Sequence, residues 1–212
     1  MKKRYTIGMD FGTLSCRAVL LDVNTGKALP KDCMYVYPHA ILEEIGGKKL
    51  PSDYALEDPC DYIEGLEAII RGVLENNGID GSEVEGIGID VTDCTLIPVD
   101  KNGTPLAFDE RFKNEPHAYV KMWKHHGGEK YMDRVRGEAE RLGESFVSRN
   151  GTGISCEILF PKLLETVTEA PEVYTAADRI MHMGDFLVRQ LTGKDAHSSS
   201  YAAIKEGWDP EL

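Results

Sequence analysis

A strand-turn-strand pattern near the start of the chain constrains its fold more than any other feature. Two apolar segments, residues 5–9 and 17–21, flank the short turn DFGTLS. Apolar segments separated by a turn of this kind predict a β-hairpin. We therefore expect the fold to open with two antiparallel strands.

The predicted turn, residues 10–15, carries groups that suit a bound phosphate. Asp10 could hold Mg²⁺ directly or through water, and Gly12 permits a close approach to the backbone. The hydroxyls of Thr13 and Ser15 can donate hydrogen bonds to phosphate oxygens. An ordinary hairpin, in which the aspartate and the glycine only make the turn, explains the same residues. The six residues alone leave both interpretations open.

Length and charge exclude some classes of partner. The chain has 212 residues, which allows one large domain or one lobe of a larger protein. Its formal net charge of −12 disfavours a nucleic-acid surface, because phosphate backbones are bound by clustered lysine and arginine. A small phosphorylated ligand needs only a local donor site and remains compatible with this charge.

Two further features indicate a cytosolic protein with no membrane segment. The sequence has no run of the roughly 18 apolar residues that a membrane-spanning helix needs, and its first residues are too briefly apolar for a signal peptide. The five cysteines are an odd number without a CxxC pair, which disfavours a disulfide framework and a zinc site. We expect reduced thiols and a cytoplasmic location.

The rest of the pattern predicts strands and helices in mixed order. A third strand is expected within residues 31–37, a surface excursion at 38–58, and an amphipathic helix from residue 59 to residues 76–78. Residues 84–91 are nearly continuously apolar, which is typical of a strand buried on both faces. Further predicted elements are strands at 96–99 and 179–183, helices at 116–124, 129–142, 158–167 and 185–191, and a loop at 198–200.

The order β-β-β-α-β-β, followed by a largely helical half, predicts the fold class. It indicates an α/β fold with a ribonuclease-H-like core, in which a mixed β-sheet is flanked by helices. It differs from the β-α-β alternation of a Rossmann domain. The sequence contains neither GxGxxG after a strand nor GxxxxGK[ST], so two common nucleotide-binding motifs are absent.

Four segments, in register along the chain, resemble the FGGY carbohydrate kinases. IGMDFGTLSCRAVLLD (7–22) resembles the first phosphate motif of the superfamily of sugar kinases, actin and Hsp70. GIGIDVTDCTLIP (86–98) resembles a sheet strand and substrate loop of the ribulokinase branch. PHAYVKMWKHH (116–126) is similar to the ribulokinase form of a segment that carries W-x-D-x-R in other FGGY kinases. KEGW (205–208) matches a K-x-x-W at the end of the same lobe.

The resemblance implies that residues 1–212 are the N-terminal lobe of a two-lobed kinase. Sugar would bind in the cleft, and a second lobe of the same polypeptide, beyond residue 212, would hold most of the ATP. The implied cofactors are ATP and Mg²⁺. The catalytic general base would also lie downstream, so no catalytic residue is assigned and the isolated lobe is expected to be inactive. An exposed apolar face at the docking surface would favour association between copies.

By the same resemblance, the hairpin turn faces the nucleotide phosphates. Asp10 matches a position that helps to hold Mg²⁺ and the phosphates of ATP. Gly12, Thr13 and Ser15 match the turn that faces the β- and γ-phosphates. Arg17 lies just beyond it and, in the family pattern, reaches phosphate or sugar. The alternative for Arg17 is a strand residue that is paired on the surface.

Four residues are implied for the sugar side. Thr92 and Asp93 lie in the loop after the predicted strand at 84–91, Trp123 matches a pocket wall that packs on sugar carbons, and Lys205 matches a lysine that contacts the sugar. The alternatives are a core tryptophan and a solvated lysine. Ribulokinases tend to carry a small residue in place of Asp93, and this difference bears on the identity of the sugar.

The most specific function that the resemblance implies is an ATP-dependent ketopentose kinase of ribulokinase type, acting in L-arabinose catabolism. A kinase for another sugar or polyol, such as xylulose or erythritol, is the alternative within the family. A non-catalytic ATP- or sugar-binding module of actin or Hsp70 type is the alternative from another class. The adjacent His125 and His126 are not expected to share a metal, because neighbouring residues on a helix diverge by about 100°.

Overall fold

The computed structural model describes residues 4–149 and 154–208. The chain divides into two compact units, the first formed by Met1–Ala40 and Cys60–Thr92 and the second by Ile41–Pro59 and Asp93–Leu212. Among the described residues, no helix is long and apolar enough to cross a membrane.

The secondary structure is mixed throughout. The strands, in chain order, are β1 (Tyr5–Phe11), β2 (Ser15–Asp22), β3 (Lys27–Ala28), β4 (Cys33–Val36), β5 (Glu44–Ile45), β6 (Lys48–Lys49), β7 (Leu56–Glu57), β8 (Val84–Val91), β9 (Leu96–Val99), β10 (Val120–Lys121) and β11 (Arg179–His182). The helices are α1 (Pro59–Asn77), α2 (Met132–Leu142), α3 (Phe146–Arg149), α4 (Leu159–Glu169), α5 (Pro171–Ala176), α6 (Met183–Thr192) and α7 (Ser199–Lys205). Short 3-10 turns lie at Gly81–Glu83, Leu106–Phe108, Pro116–Ala118 and Glu129–Tyr131.

The first unit combines a mixed sheet with one long helix, as the sequence predicts. Its strands follow the order β3-β2-β1-β8, and β4 also pairs with β2. β1 and β2 are antiparallel and form the predicted hairpin, whereas β8 runs parallel to β1. The carboxyl ends of β1 and β8 therefore lie side by side.

α1 lies close to the sheet because two of its residues are glycines. Its buried side chains recur at three- and four-residue spacing and confirm the predicted amphipathic helix: Tyr62, Leu66, Ile69 and Val73. A Cβ at Gly65 would lie 2.7 Å from Cys16 Sγ on β2, and a Cβ at Gly72 would meet Cys33 Sγ on β4. The absence of side chains at both positions lets the helix approach these two strands.

β8 is a strand, as predicted, but it is not buried on both faces. Ile87 is 42% exposed, and Val91 is the one residue of the strand that is buried. Within the described part of the chain, β8 pairs with β1 alone, and Gly86 and Gly88 have no side chains to bury. A continuous apolar pattern does not reveal what covers a strand, because its neighbours come from distant parts of the sequence.

The second unit contains an antiparallel sheet in the order β11-β9-β10-β7. β9 is buried along its whole length. The predicted helices at 129–142, 158–167 and 185–191 are confirmed as α2 with its preceding 3-10 turn, α4 and α6, and the strand predicted at 179–183 is confirmed as β11.

The prediction of a surface excursion at 38–58 is wrong for the part that begins at β5. Ile45, Leu50 and Leu56 are buried and pack together. β5 and β6 form a small hairpin, and β7 joins the larger sheet. The three apolar residues have neither helical nor strand spacing, so the sequence carries no periodic pattern for this small core.

Two more local predictions are wrong because distant contacts decide the conformation. Residues 116–124 do not form a helix: a 3-10 turn leads into β10, which pairs with β7 and β9. Residues 198–200 are not a loop, because α7 begins at Ser199. Serines are weak helix formers, but α7 is attached to β11 through Tyr201, whose ring stacks on His182.

Candidate functional site

The turn between β1 and β2 is tight and accessible. The Gly12 amide donates to the Ser15 carbonyl at 2.9 Å. A Cβ at Gly12 would lie 3.4 Å from that carbonyl oxygen, which is an ordinary van der Waals distance. Thr13 and Ser15 are half-buried, and Asp10 is exposed near the end of β1. The predicted phosphate-binding residues therefore meet in one small turn.

Asp10 lies in a row of charged residues across three strands. Arg17 is its antiparallel partner on β2, with Arg17 Nε 3.5 Å from Asp10 Oδ2 and both side chains exposed. Asp90 is its parallel partner on β8 and is also exposed. Residues in register on neighbouring strands share a face of the sheet. The two carboxylates therefore lie side by side in solvent.

This set of donors fits a magnesium ion. Mg²⁺ prefers hard oxygen ligands and is commonly bound by one or two carboxylates, waters and substrate phosphates. Asp10 and Asp90 are two such carboxylates on neighbouring strands. Sequence reasoning missed Asp90 as a site residue, because the parallel pairing that brings it beside Asp10 is a long-range feature. An aspartate near the end of a predicted strand was the one available indication.

In the second unit, the structure brings two predicted sugar-binding residues together. Lys205 Nζ, at the end of α7, lies 3.4 Å from Asp93 Oδ2. Asp93 Oδ1 is buried, and no described residue donates a hydrogen bond to it. One carboxylate oxygen therefore contacts the Lys205 ammonium, and the other is enclosed without a donor among the described residues. Thr92 belongs to the first unit, where its amide donates to the Phe11 carbonyl at 3.2 Å.

The residue after Asp93 has an uncommon backbone conformation. Cys94 has a φ of +57°, in the left-handed region that side-chain-bearing residues rarely adopt. Its thiol is buried, and burial raises the pKa of Cys94 to about 11. A thiol with so high a pKa is a poor nucleophile, so Cys94 is not a candidate for covalent catalysis.

Trp123 lies in a second segment, which Lys162 connects to the first. The indole is 37% exposed, whereas the preceding Met122 is buried. Lys162, near the start of α4, donates from Nζ to the carbonyl oxygens of Cys94 (2.9 Å), Met122 (2.6 Å) and Trp123 (3.1 Å). Sequence reasoning missed Lys162, because a lysine on an amphipathic helix is normally exposed; here it is fully buried.

A match to one protein family covers almost the entire chain and shows which family the chain belongs to. Residues 5–207 match the N-terminal domain of the FGGY family of carbohydrate kinases. The chain belongs to this family. The FGGY match begins at the hairpin and extends past Lys205, so it includes every residue that the sequence proposed for the site.

Individual relatives agree with this assignment. The FGGY chain is 38% identical over 211 residues to a ribulokinase of Halalkalibacterium halodurans, covering 98% of this chain and 37% of the relative. It is 41% identical over 199 residues to a ribulokinase of Bacillus licheniformis, covering 92% of this chain and 36% of the relative. The FGGY chain thus spans little more than a third of the length of these relatives.

A solved structure confirms the predicted fold class. A xylulose kinase from Rhodospirillum rubrum superposes with a TM-score of 0.74 at 15% sequence identity, covering 98% of this chain and 38% of that chain. The fold of the FGGY chain is therefore that of the sugar kinases, with the mixed sheet and flanking helices that the sequence indicates.

A buried ion-pair network lies between α4 and β10 of the FGGY chain. Lys121 Nζ lies 2.7 Å from Glu165 Oε2, and His125 Nε2 lies 2.9 Å from the same oxygen. The Ala55 amide donates to His125 Nδ1 at 3.2 Å, so Nε2 carries the proton and donates to Glu165. Burial alone would raise the pKa of Glu165, but the hydrogen bond from His125 and the charge of Lys121 lower it to about 2.

His117, Glu165 and Glu169 place ligand atoms within 4.8 Å of one another, yet the cluster does not fit a metal ion. Glu165 is already bound by the two donors just described, and Glu169 Oε1 lies 2.7 Å from Lys130 Nζ. A metal ion would have to displace the Lys121 ammonium from Glu165 and the Lys130 ammonium from Glu169. The arrangement is a structural ion-pair network.

The adjacent histidines do not lie on a helix, contrary to the geometry assumed from the sequence. Their rings contact different carboxylates: His125 lies against Glu165, whereas His126 Nε2 lies 3.2 Å from Glu157 Oε1.

α7, which carries Lys205, is attached through a cluster of histidines and carboxylates. His197 Nδ1 lies 2.6 Å from Asp185 Oδ2, and its Nε2 lies 3.0 Å from Glu206 Oε2. His182 Nε2 lies 3.0 Å from the other oxygen of Glu206. Burial opposes protonation, but the hydrogen bonds to Asp185 and Glu206 raise the pKa of His197. The hydrogen bond with His182 lowers the pKa of Glu206.

Proposed function

We propose that the complete protein containing this chain is an ATP-dependent ketopentose kinase of ribulokinase type. The observation that carries the proposal is the identity of 36–41% to ribulokinases over nearly the whole chain. In this proposal the chain is the N-terminal lobe and supplies the phosphate-facing hairpin and part of the sugar site. A second lobe supplies most of the ATP site and the general base, so the 212-residue chain alone is inactive. The cysteines form no disulfide among the described residues, which supports a cytoplasmic location.

The reaction is a displacement at phosphorus. The oxygen of a sugar hydroxyl forms a bond to the γ-phosphorus of ATP, the bond from that phosphorus to the ADP oxygen breaks, and the hydroxyl proton passes to a base. Catalysis of such a transfer depends mainly on positioning and on neutralising charge. These are the two tasks assigned to the residues below.

The hairpin positions the nucleotide phosphates and helps to neutralise their charge. The hydroxyls of Thr13 and Ser15 donate hydrogen bonds to the β- and γ-phosphates. The Gly12 amide, which donates to the Ser15 carbonyl, fixes the turn that faces them. Asp10, with Asp90 beside it, would hold Mg²⁺, which neutralises phosphate charge when it is bound. Arg17, 3.5 Å from Asp10, adds positive charge that a phosphate oxygen can share.

The sugar side positions the acceptor. The Asp93 carboxylate, whose side chain is 39% exposed, accepts a hydrogen bond from a sugar hydroxyl. Lys205 donates to a second hydroxyl or to the carbonyl oxygen. Trp123 packs on the apolar face of the carbon chain, and Thr92 lies next to Asp93 in the same loop.

The test is ADP release by the complete protein over a panel of ketopentoses and polyols, with and without Mg²⁺. We expect turnover with L-ribulose that requires Mg²⁺, and none from the 212-residue chain alone. Good turnover of another sugar with none of L-ribulose would overturn the ribulokinase assignment. Failure with every sugar and polyol would overturn the kinase assignment.

Asp93 favours a second candidate within the same reaction class. A carboxylate paired with Lys205 gives the pocket a charge distribution that a small residue would not provide. A related acceptor such as xylulose or erythritol is therefore the second candidate, and the same panel separates the two.

A further inference from the structure

We propose that Lys162 is a positioning residue that holds the two sugar-binding segments in one arrangement. The first segment carries Asp93 and the second carries Trp123. The proposal rests on the sugar site proposed above, and it assigns a role to a residue outside that site.

The hydrogen bonds of Lys162 match the chemistry of an ammonium group. Such a group has three N–H donors and no acceptor, and Nζ lies 2.9, 2.6 and 3.1 Å from the carbonyl oxygens of Cys94, Met122 and Trp123. Each donor therefore has one acceptor. Two of the acceptors belong to the second segment and one to the first, so the ammonium links them directly.

The bond to the Cys94 carbonyl acts at the strained position of the first segment. A left-handed conformation is unfavourable for a residue with a side chain and persists only where surrounding contacts hold it. Cys94, with φ of +57°, directly follows Asp93, so its conformation constrains the peptide unit that joins the two residues. By binding this carbonyl, Lys162 stabilises the orientation of Asp93.

The bonds to Met122 and Trp123 act on the second segment. Met122 is fully buried, while the indole that follows is 37% exposed. Fixing the Trp123 carbonyl leaves the side chain accessible and restricts the backbone that carries it. The apolar wall and the hydroxyl acceptor are thus presented to a sugar by one shared contact.

The burial of the Lys162 ammonium against three carbonyl oxygens costs free energy. Transfer of a charge from water into a protein interior is unfavourable, and burial lowers the pKa of Lys162 to about 8. Lys121 is buried nearby but lies against the carboxylate of Glu165. Lys162 has only uncharged acceptors among the hydrogen bonds of the described residues. Its contacts join two ligand-binding segments, whereas those of Lys121 join β10 to α4.

The experiment compares Lys162→Met with Lys121→Met in the complete protein. For the sugar that the wild type turns over best, we expect Lys162→Met to raise the KM by about tenfold, with kcat and the KM for ATP within about twofold. Lys121→Met should lower thermal stability and leave the sugar KM unchanged. Lys162→Gln, which keeps two N–H donors without charge, should recover part of the sugar KM.

Hydrogen exchange provides a readout that does not depend on turnover. Peptides covering residues 92–96 and 122–125 should both exchange faster in Lys162→Met. In Lys121→Met only the second peptide should exchange faster, because Lys121 and His125 contact the same oxygen of Glu165. If no sugar is turned over by the wild type, the proposed function fails, and exchange in these two peptides still decides whether Lys162 holds both segments.

An unchanged sugar KM in a folded Lys162→Met variant of an active enzyme would overturn the inference while leaving the proposed function intact. Faster exchange in only one peptide would also overturn it. If both Lys162 variants fail to fold, the role is purely structural and the inference is wrong.

Discussion

Lys205 Nζ lies 3.4 Å from Asp93 Oδ2, so a lysine at the end of α7 contacts the loop that follows β8. The side chain of Lys205 is 20% exposed and that of Asp93 is 39% exposed, so the pair remains reachable from solvent. It places a donor and an acceptor side by side, which suits the hydrogen bonds of the polyhydroxylated substrate in the proposed function.

The first prediction concerns this pair. Asp93→Ala removes a charged acceptor, and a hydrogen bond to a charged group contributes about 1.5–3 kcal/mol. We expect the KM for the preferred sugar to rise by about tenfold to a hundredfold, with the KM for ATP unchanged. Asp93→Asn, which keeps the shape and one oxygen acceptor, should have a smaller effect. Unchanged kcat/KM across the sugar panel in both variants would remove Asp93 from the site.

The second prediction concerns the hairpin. Asp10→Asn should lower kcat by about a hundredfold, because a preorganised charge that acts on the transition state contributes on that scale. It should also raise the Mg²⁺ concentration needed for half-maximal rate, and Asp90→Asn should cause a smaller increase. Glu67→Gln is the matched control, since Glu67 is an exposed carboxylate on α1 that pairs with Arg71. Equal effects from Asp10→Asn and Glu67→Gln would dismiss a specific role for Asp10.

The third prediction concerns the pH dependence of the α7 attachment. The pKa of His197 is raised, so its contribution is complete below the usual value of 6.5 and is lost as pH rises through the folded-state pKa. The pKa of Glu206 is lowered, so its contribution is complete above 4.5 and is lost as pH falls through the folded-state pKa. Asp185 and His182 also face this pair.

We therefore expect amide exchange in residues 199–205, corrected for the intrinsic rate, to be slowest between about pH 4.5 and 6.5 and faster near pH 8.5. His197→Ala should abolish the difference between about pH 6 and 8.5. Equal protection of the wild type at these two pH values would contradict the prediction.

The fourth prediction uses two helical glycines with opposite surroundings. Gly65→Ala places a Cβ 2.7 Å from Cys16 Sγ, and overpacking of this kind costs about 1–3 kcal/mol against a helix-propensity gain of about 1 kcal/mol. Gly137→Ala on α2 has no heavy atom within 4 Å of the new Cβ and should gain about 0.5–1 kcal/mol. Thermal melting should therefore shift down for the first variant and up for the second.

Cys16→Ala tests the stated cause of the Gly65 effect. The double variant should lose less stability than the sum of the two single variants, because the new methyl then enters the space left by the thiol. Additive losses would show that the contact with Cys16 is not the reason for glycine at position 65.

The elements that the sequence predicted correctly are mostly those with a clear local pattern. The hairpin at residues 5–22 and α1 each have a clear period and a glycine or polar end. The errors fall where pairing with a distant segment decides the outcome. β10 is a strand because Leu56 and Leu96 lie opposite Lys121, and none of these residues is close to another in sequence.

For the candidate site, too, the sequence indicated single residues but not the contacts between distant segments. Family resemblance assigned roles to Asp10, Asp93 and Lys205, but it could not show that the last two are in contact. Asp90 and Lys162 were missed for a physical reason. Asp90 lies beside Asp10 only because of the register between two parallel strands. Lys162 is buried, although a lysine side chain is usually exposed.

The one-sided pairing of β8 has a practical consequence for handling the protein. A strand of this length whose second edge has no partner among the described residues is a template for intermolecular β-pairing. Ile87, which is 42% exposed, adds an apolar contact to that edge. A charge on an edge strand discourages aggregation. Ile87→Lys is therefore the first substitution to introduce when the 212-residue chain is produced alone at the concentrations that crystallisation needs.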